Sequence, residues 1–197
     1  MLLSAKNIFF SYGKKEILKD ISIDIEPSKL VLITGENGSG KTTLLKILAG
    51  LLSPQKGSIS NSLPSQLHLS ADSLYGGLTV LENINLFQKL YKTRSDWKAG
   101  LDSYFELAGL NQNFSSLSLG QKGIVSLYAS FLYDCPLYFL DEPTNGLDTK
   151  KRKTLCHFIE NLIQMGKTVV LTTHYPDDFL GLSFTPHHLE GGKFHVS

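Results

Sequence analysis

The chain reads Gly35-Glu36-Asn37-Gly38-Ser39-Gly40-Lys41-Thr42 directly after a short apolar run, and this segment fits the pattern G-x-x-x-x-G-K-[ST]. The apolar run, Leu30–Thr34, is typical of a strand that is buried on both faces of a parallel sheet. Leucines and isoleucines recur at helical spacing over residues 42–52, so we expect a helix there. A glycine-rich loop between a buried strand and a helix predicts a phosphate-binding loop. Its glycines allow successive N–H groups to point at phosphate oxygens, and the start of the helix adds partial positive charge.

Two side chains of this loop have predicted roles toward a nucleoside triphosphate. Lys41 is expected to neutralise the β- and γ-phosphates, and the hydroxyl of Thr42 is expected to bind Mg²⁺. The other candidate nucleotide-binding residues of the loop are Gly35, Glu36, Asn37, Gly38, Ser39, Gly40 and Thr43. The position between a strand and a helix argues against a glycine-rich turn without a ligand.

Two adjacent carboxylates, Asp141 and Glu142, close the apolar run 137–140. We expect Asp141 to lie at the carboxyl end of a buried strand that neighbours the phosphate-loop strand, where it would hold Mg²⁺. Glu142 is the candidate that polarises a water molecule for attack on the γ-phosphate. Because successive side chains of a strand point to opposite faces, the two carboxylates are expected to do different work.

The composition of the whole chain is that of an ordinary globular protein. It has 197 residues, 42% of them hydrophobic, and a formal net charge of +1, which argues against a dedicated nucleic-acid-binding protein. No signal peptide is recognisable, and the most apolar stretch, residues 124–140, contains Asp134 and Pro136 and is too short to span a bilayer. Cys135 and Cys156 are expected to be reduced thiols of a cytoplasmic protein.

Apolar patterning predicts the remaining elements. The expected strands are 8–10, 21–25, 67–70, 137–140 and 168–172, and the expected helices are Val80–Tyr91, 95–108 and 148–165. The polar segment 71–122 is interpreted as a helical insertion into an α/β fold. The prediction is one domain over residues 1–197, with a catalytic core of residues 1–70 and 123–197 and a helical subdomain of residues 71–122.

Four further segments make the chain resemble the ABC ATPases. Leu117-Ser118-Leu119-Gly120-Gln121 resembles the signature motif of that family, and Asn145-Gly146-Leu147-Asp148 resembles its D-loop. His174 stands where the family has its switch histidine, and Tyr12 where the family has an aromatic residue that stacks on adenine. The resemblance covers the whole chain in the family's order and spacing.

This resemblance implies a fold and a mechanism. The fold would be a P-loop NTPase (RecA-like) core with a mostly parallel sheet, an N-terminal antiparallel β subdomain and a helical insertion subdomain. Two such domains would dimerise head to tail and clamp ATP between one phosphate loop and the opposing signature motif. Glu142 and His174 would then be catalytic. The cofactors would be ATP and Mg²⁺, and the further nucleotide-binding residues would be Tyr12, Ser118, Gly120, Gln121 and Asp148.

The chain departs from the family's pattern at two motifs. Leu119 takes the place of a glycine in the signature motif. Ser70, Ala71 and Asp72 occupy the place of the Q-loop glutamine, and Asp72 is an alternative ligand on the Mg²⁺ side. Gln66 comes too early to serve as that glutamine.

The resemblance also implies a biological role. The chain would be the ATP-binding subunit of an ABC transporter, working as a homodimer or heterodimer on the cytoplasmic face of a membrane with a separate integral membrane subunit. Its compact length, its ending after Gly192-Lys193-Phe194 and its Thr172-Thr173-His174 segment resemble the haem-exporter ATPase of cytochrome c maturation. The alternatives are a soluble ABC ATPase of the iron–sulfur assembly type and a catalytically weak partner of another ABC subunit. A GTPase is disfavoured because the chain lacks the guanine-reading Asn-Lys-x-Asp pattern.

Overall fold

The computed structural model describes residues 1–61, 63–68, 74–107 and 109–195. The strands are β1 (Leu3–Tyr12), β2 (Lys15–Ile25), β3 (Leu30–Thr34), β4 (Lys56–Asn61), β5 (Ser65–His68), β6 (Leu137–Asp141), β7 (Thr168–Thr173), β8 (Phe184–Glu190) and β9 (Lys193–His195). The helices are α1 (Lys41–Leu48), α2 (Val80–Tyr91), α3 (Ser95–Tyr104), α4 (Leu119–Phe131) and α5 (Thr149–Gln164). Short 3₁₀ helices form at Phe114–Ser116 and Pro176–Phe179.

The larger sheet has the strand order β5-β6-β7-β3-β8-β9. Its strands from β5 to β8 pair in parallel, and β9 pairs with β8 as an antiparallel edge. Every residue of β6 and β7 is buried, which explains why these strands are nearly continuous apolar runs in the sequence. The α/β fold with a mostly parallel sheet is therefore confirmed.

The smaller sheet is antiparallel and has the order β2-β1-β4. In β2, Ile21, Ile23 and Ile25 are buried while Ser22 and Asp24 are exposed, so one face packs on the core and the other faces solvent. The expected antiparallel β unit near the N-terminus is thus present, and its strands are longer than the sequence indicated.

Helices α2 and α3 lie in the predicted insertion. Thr79 caps α2 in a capping box, accepting a hydrogen bond from the Glu82 N–H while the Glu82 carboxylate accepts one from the Thr79 N–H. α3 ends at Tyr104, short of the predicted end, and residue 108 lies outside the described residues. α4 begins at Leu119 and continues past residue 123, where the sequence suggested the return to the core.

One expectation about strand order was wrong. The sequence predicted that the strand bearing Asp141 neighbours the phosphate-loop strand, but β7 lies between β6 and β3. The order of parallel strands depends on which helical crossover packs on which face, and this is not encoded in the local pattern. Strands β8 and β9 were not predicted either, because β8 contains Pro186 and two histidines and is only partly buried.

Candidate functional site

The loop between β3 and α1 is curled by its glycines. Gly35, Gly38 and Gly40 have φ angles of 150°, 81° and 109°, which favour glycine. A Cβ atom on Gly35 would lie 2.2 Å from the carbonyl oxygen of Leu189, so the loop packs too closely on β8 for any side chain there. α1 begins after Gly40 without a side-chain cap. Its first N–H groups are therefore available to an anion.

Lys41 is a buried cation, 6% exposed, that folds back over the loop. Its Nζ donates to the carbonyl oxygens of Gly35, at 2.7 Å, and Glu36, at 3.1 Å. The same Nζ lies 3.4 Å from Oε1 of Glu142 and 3.5 Å from Nε2 of His174. The side chain predicted to bind phosphate thus reaches both predicted catalytic residues.

Asp141 is held by two threonine hydroxyls. Thr42 Oγ1 donates to one carboxylate oxygen at 2.6 Å, and Thr172 Oγ1 donates to the other at 2.7 Å. Thr172 belongs to β7 and pairs in register with Asp141, whereas Thr42 reaches Asp141 from α1. Hydroxyl and carboxylate oxygens are the ligands that Mg²⁺ prefers, so Thr42 and Asp141 fit the predicted Mg²⁺ site. Sequence reasoning did not assign Thr172 this role, although a threonine that closes a buried apolar strand was a visible signal.

Glu142 leaves the strand in the left-handed conformation, with φ of 48°. Its N–H donates to Thr172 Oγ1 at 3.0 Å, and its Oε2 accepts from the His174 N–H at 3.2 Å. Oε1 lies 3.0 Å from Nε2 of His174 and is buried without a well-aligned hydrogen bond. The expectation that the strand pleat separates the two carboxylates was incomplete, because the turn at Glu142 re-aims its side chain toward Lys41 and His174.

A cavity of about 250 Å³ opens in front of these groups. Its lining residues are Lys15, Ile17, Asn37, Gly38, Gly40, Lys41, Thr42, Thr43 and Glu142. Lys15 and Ile17 come from β2, and sequence reasoning did not select them. Their position at the cavity depends on how the small sheet packs on the loop. This packing is close, because a Cβ on Gly40 would lie 3.1 Å from Cγ2 of Ile17.

The other predicted site residues do not line this cavity. Tyr12 is about half exposed at the end of β1 and contacts the ring of Phe10 edge to face, with centroids 4.9 Å apart. Ser118 caps α4, accepting from the Gln121 N–H at 3.3 Å, while Gln121 Oε1 accepts from the Ser118 N–H at 2.9 Å. The N-cap of α5 is Asp148, and the hydrogen bond it accepts from the Lys151 N–H holds the pKa of its carboxyl below the usual range.

The signature and D-loop segments contact each other within the chain. A Cβ on Gly120 would lie 2.5 Å from the carbonyl oxygen of Gly146, and a Cβ on Gly146 would lie 3.3 Å from Cγ of Leu119. Leu119 is nevertheless 62% exposed. The leucine that replaces the family's glycine therefore presents most of its side chain to solvent.

Ser70, Ala71 and Asp72 lie outside the described residues. Gln66 lies in β5, as its early position indicated, and borders a cavity of about 210 Å³ between β5, α2 and α4.

Comparison with known proteins agrees with this geometry. The sequence profile of the ABC transporter family matches residues 18–145. The chain belongs to the ABC transporter family. It is 30% identical over 190 residues to the ABC transporter ATP-binding protein NatA of Bacillus subtilis, a match that covers 86% of this chain and 77% of that protein.

Two further matches show how far the likeness extends. Over 201 residues this ABC family member is 30% identical to the Nod factor export ATP-binding protein I of Rhizobium etli, with coverage of 93% of this chain and 63% of that protein. The chain therefore spans less than two thirds of that relative. A solved structure of an ATP binding subunit of an ABC transporter superimposes with a TM-score of 0.89 at 25% identity, covering 100% of this chain and 89% of the other. Within the described residues of the chain, no helix has both the length and the apolar character needed to cross a bilayer.

Proposed function

We propose that this chain binds and hydrolyses ATP as the nucleotide-binding subunit of an ABC transporter. The observation that carries the proposal is the contact between Lys41 and both Glu142 and His174, beside the Thr42–Asp141 hydrogen bond. The loop proposed to bind phosphate, the pair proposed to bind Mg²⁺ and the candidate base thus lie together where β3, β6 and β7 end.

In the nucleotide-binding step, phosphate oxygens would replace the loop carbonyl oxygens that accept hydrogen bonds from Lys41. Lys41 now donates to the carbonyl oxygens of Gly35 and Glu36. A phosphate oxygen is a stronger, charged acceptor, so Lys41 would exchange those contacts for it. The free N–H groups at the start of α1 add to the attraction. Thr42 and Asp141 would hold Mg²⁺, which neutralises phosphate charge when it is bound.

In the hydrolytic step, Glu142 is the residue that orients water. Two backbone contacts fix it, since its N–H binds Thr172 and its Oε2 accepts from the N–H of His174. When Lys41 moves toward phosphate, Oε1 of Glu142 loses its contact with the lysine ammonium group and can accept a proton from water. His174 Nε2 lies 3.0 Å from the same oxygen and would contact that water or the γ-phosphate.

We further propose that a second ATPase subunit, identical or homologous, completes the site. Four of the predicted residues that do not line the cavity are at helix starts, where N–H groups attract anions, namely Ser118, Gly120, Gln121 and Asp148. In an opposing subunit, Ser118 and the N–H of Gly120 would bind the γ-phosphate. Because Leu119 projects from the same turn, a catalytically weak subunit paired with a stronger ATPase is the second candidate.

The transport role implies a membrane partner and a location. We propose that the chain acts on the cytoplasmic face of a membrane through a separate integral membrane subunit, in the direction of export. Haem export for cytochrome c maturation stays one prediction for the cargo. Purification from a detergent extract tests the role: a multi-span protein that co-purifies supports transport, whereas a soluble assembly without one supports the iron–sulfur type of ABC ATPase.

The variant Glu142→Gln tests the chemistry. We expect it to bind Mg-ATP as the wild type does but to turn over at least ~10²-fold more slowly, the scale of a lost general base. Glu26→Gln, an exposed glutamate in the turn after β2, is the matched control and should keep the wild-type rate. Wild-type turnover by Glu142→Gln would remove this residue from the mechanism.

A further inference from the structure

Arg152 in α5 joins the two loops that follow β6 and β7. Its Nε donates to the carbonyl oxygen of Leu147 at 3.0 Å, and its Nη1 donates to Oδ2 of Asp178 at 3.2 Å. The guanidinium carbon also lies 5.3 Å from the centre of the Tyr175 ring. We propose that Arg152 is a positioning residue for ATP hydrolysis, which aligns His174 with Glu142 by bracing these two loops against each other. This proposal rests on the proposed ATPase function.

We call the contacts of Arg152 with Leu147 and Asp178 the brace. Its first end lies on the loop that begins at Glu142. Leu147 is buried, and its N–H donates to the Thr144 carbonyl oxygen at 3.1 Å, so its position is tied to the start of the loop. The neighbouring Gly146 packs against Gly120. A shift of the Leu147 carbonyl would therefore move the segment between the candidate base and the signature turn.

The second end lies on the loop that carries His174. Asp178 is in the 3₁₀ helix Pro176–Phe179, and its carbonyl oxygen accepts from the thiol of Cys156 at 3.1 Å. Nearer the strand, the N–H of Tyr175 donates to Thr173 Oγ1 at 2.9 Å. The loop is thus fixed to α5 at one end and to β7 at the other, with His174 between the two anchors.

The contacts require an arginine rather than any cation. A guanidinium group offers donors in fixed, different directions, so one side chain can bind a carbonyl and a carboxylate at once. A lysine ammonium is a point charge on a flexible stem and would satisfy one acceptor at the expense of the other. Misplacement of a catalytic group by a fraction of an ångström lowers the rate of the chemical step without weakening nucleotide binding.

The first test separates turnover from binding. In Arg152→Lys and in Asp178→Asn, we expect kcat for ATP to fall about 5- to 20-fold while KM stays within about twofold, the size of effect known for coupled positions. The double variant should be no slower than the slower single variant, because both changes break one brace. Arg94→Lys, an exposed arginine that pairs with Asp96, is the matched control and should keep the wild-type kcat. A kcat within twofold of wild type in both single variants, or a raised KM with unchanged kcat, overturns the proposal.

The second test does not depend on turnover. Hydrogen exchange measured by mass spectrometry reports the brace directly, because amides in a loosened loop exchange faster. Changing only Asp178 to Asn should raise exchange in residues 144–148, on the far side of Arg152, as well as in residues 174–180. Unchanged exchange in residues 144–148 overturns the proposal. If the wild type hydrolyses no ATP, the proposed function fails, and this measurement still decides whether the brace exists.

Discussion

Acidification should destabilise this protein through His68, and the size of the effect follows from the structure. His68 ends β5 and is only 4% exposed. Its Nδ1 lies 3.1 Å from Oγ of Ser130, whose own hydroxyl donates to the carbonyl oxygen of Ser126 at 2.9 Å. Because that hydroxyl hydrogen is already used, the neutral imidazole must donate from Nδ1. Burial lowers the pKa of His68 from 6.5 to about 4.

The sign and magnitude come from proton linkage. Between pH 6.5 and pH 4 the unfolded chain binds a proton at His68 and the folded chain does not, so stability falls as the pH falls. Each pH unit in this window costs about 1.4 kcal/mol. The free energy of unfolding should therefore lose about 2 kcal/mol at pH 5 through this one group, and the loss should level off near pH 4.

Urea unfolding at pH 7.5 and pH 5 measures this loss. In His68→Asn the amide nitrogen can replace Nδ1 as the donor to Ser130 but does not titrate, so the wild type should lose about 2 kcal/mol more than the variant between these two pH values. His157→Asn, a change at an exposed histidine of α5, is the control and should follow the wild type. Equal losses in wild type and His68→Asn would refute the reasoning that burial holds this imidazole neutral.

Three further changes address the nucleotide site. Lys41→Ala should abolish measurable binding of Mg-ATP in calorimetry, because the phosphates lose a buried cation; unchanged affinity would contradict its role. Tyr12→Ala should weaken ATP binding by about 1–3 kcal/mol through lost base stacking, with Tyr12→Phe retaining it, and equal affinities would exclude the adenine contact. Gly35→Ala should lower the free energy of unfolding by about 1–3 kcal/mol, since its Cβ would meet the Leu189 carbonyl. Gly181→Ala, with open space around its Cβ, is the control in the same denaturation experiment, and equal stability of the two variants would refute the close packing.

The curled loop between β3 and α1 was predictable because its geometry is local. The apolar run of β3, the glycines and the start of α1 are contiguous in the sequence, and each feature constrains its neighbour. The capping box at Ser118 and Gln121 is also local, since a helix start there follows from the residues at the two ends of one turn.

The remaining parts of the site depend on tertiary packing. Thr42 meets Asp141 because α1 reaches β6 across the intervening strand β7, and no spacing in the sequence encodes that crossing. The left-handed turn at Glu142 is equally hidden, because it is imposed by contacts with β7 and its following loop rather than by a glycine. Lys15 lines the cavity only because the small sheet packs against the loop between β3 and α1.

Helix α4 has a mechanical consequence for communication along the chain. It starts at the solvent-exposed Ser118–Leu119 turn and ends at Phe131, which is fully buried beneath the sheet. At 1.5 Å per residue this element is a stiff rod of about 20 Å. Residues 123–131 of the helix are all buried, so it packs against the interior over most of its length. A displacement of the exposed turn would therefore disturb packing along the whole buried part of the helix, as far as the aromatic side chains around Phe131.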